Sequence, residues 1–302
     1  MKKNILITGA NSFVAKNLIK KLNKKNYLLT LTDIKSDSKL KNLIISDLSK
    51  LKSNYIKSKK IDHIIHLGAI STAQNFAINI KKSYETNILS ILNIIEIAKE
   101  KNAKSIIFAS SEWVYGQKTN KSQKESDIIE IESLGSEYAL SKKVGEDFLK
   151  YYCSKNNIKL IILRFGIIYG NKTINLCAIE SIFKSLKENQ NEIVVGSLKS
   201  SRRFIHVNDI CTAIIKSLKL RKNQILNISG DELVSMKDII KISALILNIK
   251  PKVFEKDKSN ISIRNPSNLI AKKTLRWKPI ISLKRGLTSY NNYLDEKYFQ
   301  KK

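Results

Sequence analysis

A chain of 302 residues, 42% of them hydrophobic, is long enough to bury a large core and is expected to form one big domain or two tightly joined ones. No apolar run approaches the roughly 18 to 20 residues of a membrane span, and the apolar stretch after "MKKN" is too brief for an export signal, so a soluble cytoplasmic protein without membrane contact is the expectation. The 55 basic and 26 acidic residues leave a net charge of +29, which raises nucleic acid as a partner; but only seven of the 55 are arginine and the lysines run along the whole length, so no nucleic-acid function is expected.

The first element is an apolar run at 4–8 that reads as a strand, followed by "ITGANSFVAKNL" and a helix over 12–24. A strand running into a helix is the setting in which a glycine-bearing turn is informative. There Gly9 serves the tight turn, Ser12 stands where the backbone nears a pyrophosphate, and Ala15 lets the helix pack on the strand. A second strand at 27–32 ends on Asp33, 24 residues after Gly9, where a carboxylate can hold adenosine ribose hydroxyls and repel a 2'-phosphate. That favours NAD over NADP. Strands at 42–45 and 61–67 follow, then a helix over 78–101 whose Ile88, Leu89, Ile91, Leu92, Ile95 and Ala98 form an apolar stripe. A strand at 105–110, a helix over 136–156 and a strand at 158–163 complete an alternation that predicts a parallel sheet with helices on both faces. In the last of these helices, "YALSK" places Tyr138 and Lys142 four apart on one face, where an ammonium would lower the phenol's pKa toward that of a base working near neutral pH. In so lysine-rich a chain that spacing alone is no more than a solvated helix face.

Beyond residue 165 the pattern loosens: a helix over 175–189, strands at 192–195 and 225–228, helices over 209–220 and 235–247, and a helical stretch from 282. This half is expected to supply the surface that encloses a ligand over the carboxyl edge of the sheet. Cys153, Cys177 and Cys211 are odd in number and lack metal-ligand spacing, so neither disulfides nor a metal site is expected. His63 and His66 lie three apart in a strand, and with His206 they are read as structural.

Taken together, "TGANSFVA" at 8–15, Asp33, "SDL" at 46–48, "HLGA" at 66–69, Asn87, "SSEWVYG" at 110–116, "YALSK" at 138–142, "LRFGIIYG" at 163–170, "RRFIHVNDI" at 202–210, "LNISG" at 226–230 and "LRWKP" at 275–279 form an ordered series over nearly the whole chain. In this the sequence resembles the extended short-chain dehydrogenases/reductases of the NAD-dependent epimerase/dehydratase family, which act mainly on nucleotide sugars. The resemblance implies a Rossmann-like, doubly wound α/β sheet built from 1–165 and 202–228, with a smaller, discontinuous α/β substrate-binding domain from 166–201 and 229–302. It implies Ser111, Tyr138 and Lys142 as the catalytic set. It further implies NAD held by Gly9, Asn11, Ser12, Phe13, Val14, Asp33, Asp47, Leu48, Leu67, Gly68, Ala69 and Asn87 together with Tyr138 and Lys142, and a nucleotide-diphosphate sugar met by Glu112, Trp113, Gly166, Arg202 and Arg264. A homodimer through helices of the dinucleotide domain is also implied.

Two departures bear on the reaction. The family's 4,6-dehydratases carry an Asp-Glu pair directly after the catalytic hydroxyl residue, and here Glu112 and Trp113 stand in those places; an indole transfers no proton. Gly166 stands where the epimerases commonly present an asparagine to substrate, and a glycine there is compatible with a wider pocket. A 4-epimerase needs no acid pair, so epimerisation through a transient 4-keto sugar is the leading expectation. A dehydratase, a keto-sugar reductase or dehydrogenase, and a non-catalytic dinucleotide-binding protein are the alternatives.

Overall fold

The computed structural model describes residues 2–22, 25–116, 121–189 and 191–299, and its first apolar run folds as β1 (Lys3–Thr8) inside a seven-stranded sheet. β2 (Tyr27–Asp33) and β3 (Leu43–Ile45) follow on one side of it; on the other stand β4 (His63–His66), β5 (Ser105–Ser111) and β6 (Lys159–Phe165), with the strand Gln224–Ile228 beside β6. Each neighbouring pair among β1 to β6 is parallel. All four residues of β4 are buried, as expected of a strand covered on both faces. The order 3-2-1-4-5-6 is that of a doubly wound dinucleotide fold, as the alternation predicts, and it reverses between β1 and β4. The carboxyl ends of those two strands therefore flank the place where such sheets take a ligand.

The chain divides into two units. One comprises Met1–Gly116, Glu125–Phe165 and Cys211–Leu226; the other comprises Gln117–Lys124, Gly166–Ile210 and Asn227–Lys302. Residues 202–210, placed with the dinucleotide domain by sequence, thus cluster with the second unit, because Ser201–Arg202 pairs with Val234–Ser235 on one side and Ile263–Arg264 on the other. Two-residue strands carry too little periodicity to be seen in sequence. The first unit's core packs Leu6, Ile64, Ile106 and Ile162 of the sheet with Ile91, Ile94, Ile95 and Leu149 of helices. The second unit has its own core, in which Ile179, Phe183, Ile239, Leu287 and Tyr290 meet from the helices Ala178–Glu188, Met236–Leu247 and Leu283–Phe299.

Two expected helices change shape. The first runs Phe13–Lys21, with Ser12 Oγ accepting from Ala15 N at 3.2 Å; residues 23 and 24 of the expected 12–24 span lie outside the described residues. The expected 78–101 helix is broken into Ala73–Ile78, Ile80–Tyr84, a π turn at Glu85–Leu89 and Ser90–Glu100. Asn79 starts a new helix by accepting from Lys82 N at 2.9 Å. The π turn shifts the phase of the helix Ser90–Glu100, so Ile91, Ile94, Ile95 and Ala98 are buried while Leu89 of the expected stripe is 44% exposed.

Candidate active site

The turn after β1 depends on the left-handed backbone of Gly9, at φ +66°. A Cβ there would sit 2.6 Å from Gly68 Cα, so the β1 turn and the loop after β4 touch backbone to backbone. Gly68 N donates to Thr8 Oγ1 at 3.1 Å, Thr8 Oγ1 and His66 Nδ1 are 2.8 Å apart, and a Cβ on Gly68 would collide with the Leu48 side chain. Gly9, Gly68 and Leu48 therefore meet, with Leu67 and Ala69 flanking them in the same loop. Ala15 is fully buried, and Phe13 and Val14 open the helix, where the buried Cys211 donates its thiol to Val14 O at 3.8 Å.

Asp33 is aimed by the backbone. Its Oδ2 accepts from Asn11 N at 2.9 Å and its Oδ1 from Lys35 N at 3.1 Å, which leaves lone pairs on both oxygens for hydroxyl donors. Asn11 Nδ2 donates to Lys35 O at 2.7 Å, while Asn11 Oδ1 is buried with no hydrogen-bond donor among the described residues. An orphaned acceptor beside an oriented carboxylate, at the mouth of a glycine turn, fits the hydroxyl donors of a dinucleotide's ribose. Asp47 is more heavily committed: Oδ1 accepts from Ser49 N at 3.0 Å and Ser49 Oγ at 2.8 Å, and Oδ2 pairs with Lys82 Nζ at 2.7 Å. An adenine amine reaching Asp47 would share it with that ammonium.

The helix Glu137–Lys155 begins at Ser136, whose Oγ accepts from Ala139 N at 3.3 Å, and carries Tyr138 and Lys142 one turn apart, only 7% and 6% exposed. Ser111, at the carboxyl end of β5, faces the Tyr138 phenol, and its Oγ accepts from Trp113 N at 3.3 Å. Lys142 Nζ donates to Ala109 O at 2.8 Å and lies 5.0 Å from the Phe108 ring centroid and 6.0 Å from that of Tyr138. Ser111, Tyr138 and Lys142 are thus brought together. The phenol, however, is not lowered as the spacing suggested. Burial pushes Tyr138 up to about 12, with the Ser111 hydrogen bond acting downward and the Glu112 carboxylate upward. Burial pulls Lys142 down to about 8, against Glu146, which favours its charged form.

Asn87 sits in the π turn and joins the loop after β4 to the helix of Tyr138. Its Oδ1 accepts from Ile70 N at 2.8 Å, and its Nδ2 donates to Ile70 O at 3.1 Å and Ser141 Oγ at 3.0 Å. Glu112 is buried in the short 3-10 turn after β5, and Trp113 is half-buried beside it. In the second unit, Arg202 and Arg264 are register partners on adjacent parallel strands. Arg264 is 4% exposed, and Arg202 donates to Ser201 O at 2.8 Å, to Ser262 Oγ at 2.9 Å and to Ser262 O. Gly166 has a packing reason: a Cβ there would come within 2.8 Å of the Arg203 carbonyl oxygen, so an asparagine does not fit this backbone. Burial pushes His63 down to about 4 and His66 to about 3, which keeps both neutral in structural bonds to Ser105 and Thr8.

Sequence reasoning missed Glu146 and Arg164, which form a fully buried ion pair beneath this cluster. The signals were a carboxylate eight residues after Tyr138, on the same helix stripe, and a lone cation inside the apolar run "LIILRF".

The family model described as the NAD dependent epimerase/dehydratase family matches residues 5–229. A putative UDP-glucose 4-epimerase of Methanocaldococcus jannaschii is 28% identical over 303 residues, covering 96% of this chain and 98% of that protein. Among solved structures, the UDP-glucose 4-epimerase of Thermotoga maritima with UDP-glucose superposes with a TM-score of 0.86 at 20% identity, covering 98% of this chain and 99% of that one. The UDP-glucuronic acid 4-epimerase of Bacillus cereus, in complex with UDP-glucuronic acid and NAD, gives 0.85 at 22% identity, covering 98% and 100%. At such identities the structural likeness shows the fold.

Proposed function

Because the chain belongs to the NAD dependent epimerase/dehydratase family, we propose that it is an NAD-dependent nucleotide-sugar epimerase that inverts the 4-position of a UDP-hexose. The observation that carries this reading is the burial of Ser111 and Tyr138 together, with Lys142 one turn on, at the carboxyl end of β5 beside the switch point of the sheet. The 4-epimerases similar in sequence and in fold support it. NAD held there would supply acceptance and return of hydride, by way of a 4-keto sugar.

The chain's own part is placement and proton transfer. Tyr138 Oη takes the proton of the sugar 4-hydroxyl, and Ser111 Oγ holds the same oxygen in line. Lys142 supplies positive charge close to the phenol and a donor toward the nicotinamide ribose. Asp33 holds the adenosine ribose, and the first unit as a whole is the dinucleotide domain. Arg202 and Arg264, adjacent in the second unit, grip the diphosphate. With Trp113 where an acid would stand, the residues favour return of the hydride over elimination of water.

The test is a panel of UDP-, dTDP- and GDP-sugars read by mass and NMR. The expected product has the mass of the substrate and the opposite configuration at one carbon, with no net change at the nicotinamide absorbance band. Loss of water, loss of carbon dioxide, or stoichiometric reduced coenzyme would each overturn it.

Asp33→Ala is expected to weaken NAD by about 10- to 100-fold, the scale of a charged hydrogen bond, while NADP, whose phosphate the carboxylate repels, loses little. Binding of both coenzymes is measured by calorimetry, and an equal loss for the two would remove the ribose role.

The reading carries with it a cytoplasmic homodimer serving polysaccharide building. Its supports are three free cysteines, the absence among the described residues of any helix long and apolar enough to cross a membrane, and exposed Leu89, Tyr151 and Tyr152 on the dinucleotide unit's helices.

A further inference from the structure

Beneath the Ser111, Tyr138 and Lys142 cluster lies a charged group that none of those roles uses. Glu146 follows Lys142 by one turn and Tyr138 by two, so all three side chains share one stripe of the helix Glu137–Lys155. Its carboxylate has no exposure, and it is gripped by Arg164 of β6, itself 2% exposed: Nε donates to Oε1 at 2.9 Å and Nη2 to Oε2 at 2.7 Å. A third donor, Ser110 Oγ of β5, reaches Oε1 at 2.6 Å. The remaining edge of the guanidinium serves Tyr115: Nη1 donates to its hydroxyl at 2.9 Å, and Arg164 Cζ lies 4.9 Å from the centre of its ring. Tyr115 is the last residue of the 3-10 turn Glu112–Tyr115, which Ser111 caps.

Three pieces of the site are therefore tied to one carboxylate. They are the helix of Tyr138 and Lys142, the strand end that delivers Ser111, and the turn that carries Glu112 and Trp113. A buried ion pair is a weak source of stability, since well-packed apolar residues of the same volume often serve as well or better. What apolar residues do not supply is a fixed negative charge one turn below Lys142, or a donor for Tyr115.

We propose that Glu146, clamped by Arg164, is a positioning residue for the reaction: it supplies the counter-charge to Lys142 and, through Ser110 and the Arg164–Tyr115 bond, holds the Ser111–Tyr115 turn against the helix that carries Tyr138. The role in catalysis rests on the epimerase reading above; the charge coupling to Lys142 does not.

The groups that face this stripe are few. Lys142 faces Glu146 on its own helix, neutral His66 of β4 and the Phe108 ring and Ala109 carbonyl of β5; Tyr138 faces Ser111 and Glu112; Glu146 faces Ser110, Arg164 and, through Arg164, Tyr115. Glu146 is the carboxylate that favours the protonated form of Lys142. Without it the ammonium loses its proton at lower pH, and the limb of the pH profile on which activity falls as pH rises moves the same way.

The experiment uses three variants of the full chain. Glu146→Gln removes the charge, Glu146→Met with Arg164→Met replaces the pair by apolar volume, and Tyr115→Phe removes only the hydroxyl that Arg164 holds. NMR titration of lysine-labelled protein, with Lys142→Met to assign the signal, reads the ammonium without substrate or turnover. Its midpoint is expected near 8 in the parent protein, lowest in Glu146→Gln, lowered by a smaller step in the double Met variant, which also removes the Arg164 charge, and unchanged in Tyr115→Phe. In turnover, the Glu146 variants are expected to lose about 10- to 100-fold in kcat with KM nearly constant, the scale of a misplaced reacting group, and Tyr115→Phe a smaller part of that. If Glu146→Gln fails to fold because Arg164 is left buried and unpaired, the double Met variant carries the same readings. A double variant with the parent's Lys142 midpoint, or with the parent's kcat, overturns the proposal. A parent enzyme that epimerises no sugar sinks the reading above instead, and the titration still decides the coupling.

Discussion

Tyr138→Phe is expected to lower turnover about a thousandfold while leaving the fold and coenzyme binding intact, within the range a positioned acid–base group supplies. The substitution removes one oxygen from a ring that is 7% exposed, so the packing of the helix on β5 is untouched. What goes is the atom that faces Ser111 and that would accept the sugar's proton. Because burial keeps the phenol up near 12, the free protein holds Tyr138 protonated at neutral pH, and turnover needs added positive charge nearby before this oxygen works as a base. Lys142, drawn down to about 8 by burial, retains most of its charge at neutral pH but is anchored to Ala109 O, 6.0 Å from the ring centre. The measurement pairs turnover of a UDP-sugar with NAD affinity by calorimetry. Parent-like turnover, or a loss of NAD binding that accounts for the whole effect, would take Tyr138 out of the reaction.

The strands of the sheet were legible because each is an uninterrupted Ile- and Leu-rich run bounded by a turn, and a strand buried on both faces needs nothing else. The helix break at Asn79 and the π turn at Asn87 were not legible. The resemblance singles out Asn87, but the turn that holds it depends on Ile70 and Ser141, which lie 17 and 54 positions away in the chain. The same holds for the site. The ordered series of motifs singles out Ser111, Tyr138 and Lys142, whereas the direction in which the Tyr138 pKa moves depends on burial that no spacing encodes. Gly166 reads as a wider pocket until the Arg203 carbonyl is seen 2.8 Å from where its Cβ would be. Glu146 and Arg164 each leave a mark of their own, a carboxylate on the stripe of Tyr138 and a cation in an apolar run, but no period links a helix position to a strand position 18 residues on.

Gly9→Ala is the second large effect, with NAD affinity expected to fall at least about 100-fold and the melting temperature by several degrees. Two costs act together. Alanine at φ +66° enters the left-handed region, at about 1–2 kcal/mol. Its Cβ would also stand 2.6 Å from Gly68 Cα and 2.7 Å from Gly68 N, both backbone atoms that no rotamer change can move aside. Relief requires the β1 turn and the loop after β4 to separate, and with them the Gly68 N to Thr8 Oγ1 bond at 3.1 Å and the approach of Leu48. Those are the surfaces assigned to the dinucleotide, so binding should fall further than the loss of stability alone explains. Ser12→Gly in the same turn is the control: it forfeits only a cap on Ala15 N, worth a few tenths of a kcal/mol against glycine, and should hold NAD as the parent does. Calorimetric affinities and thermal melts of the two variants side by side decide the matter. Were Gly9→Ala to bind NAD like the parent while Ser12→Gly did not, the pyrophosphate would be held by the serine hydroxyl and not by the close approach of the two glycines.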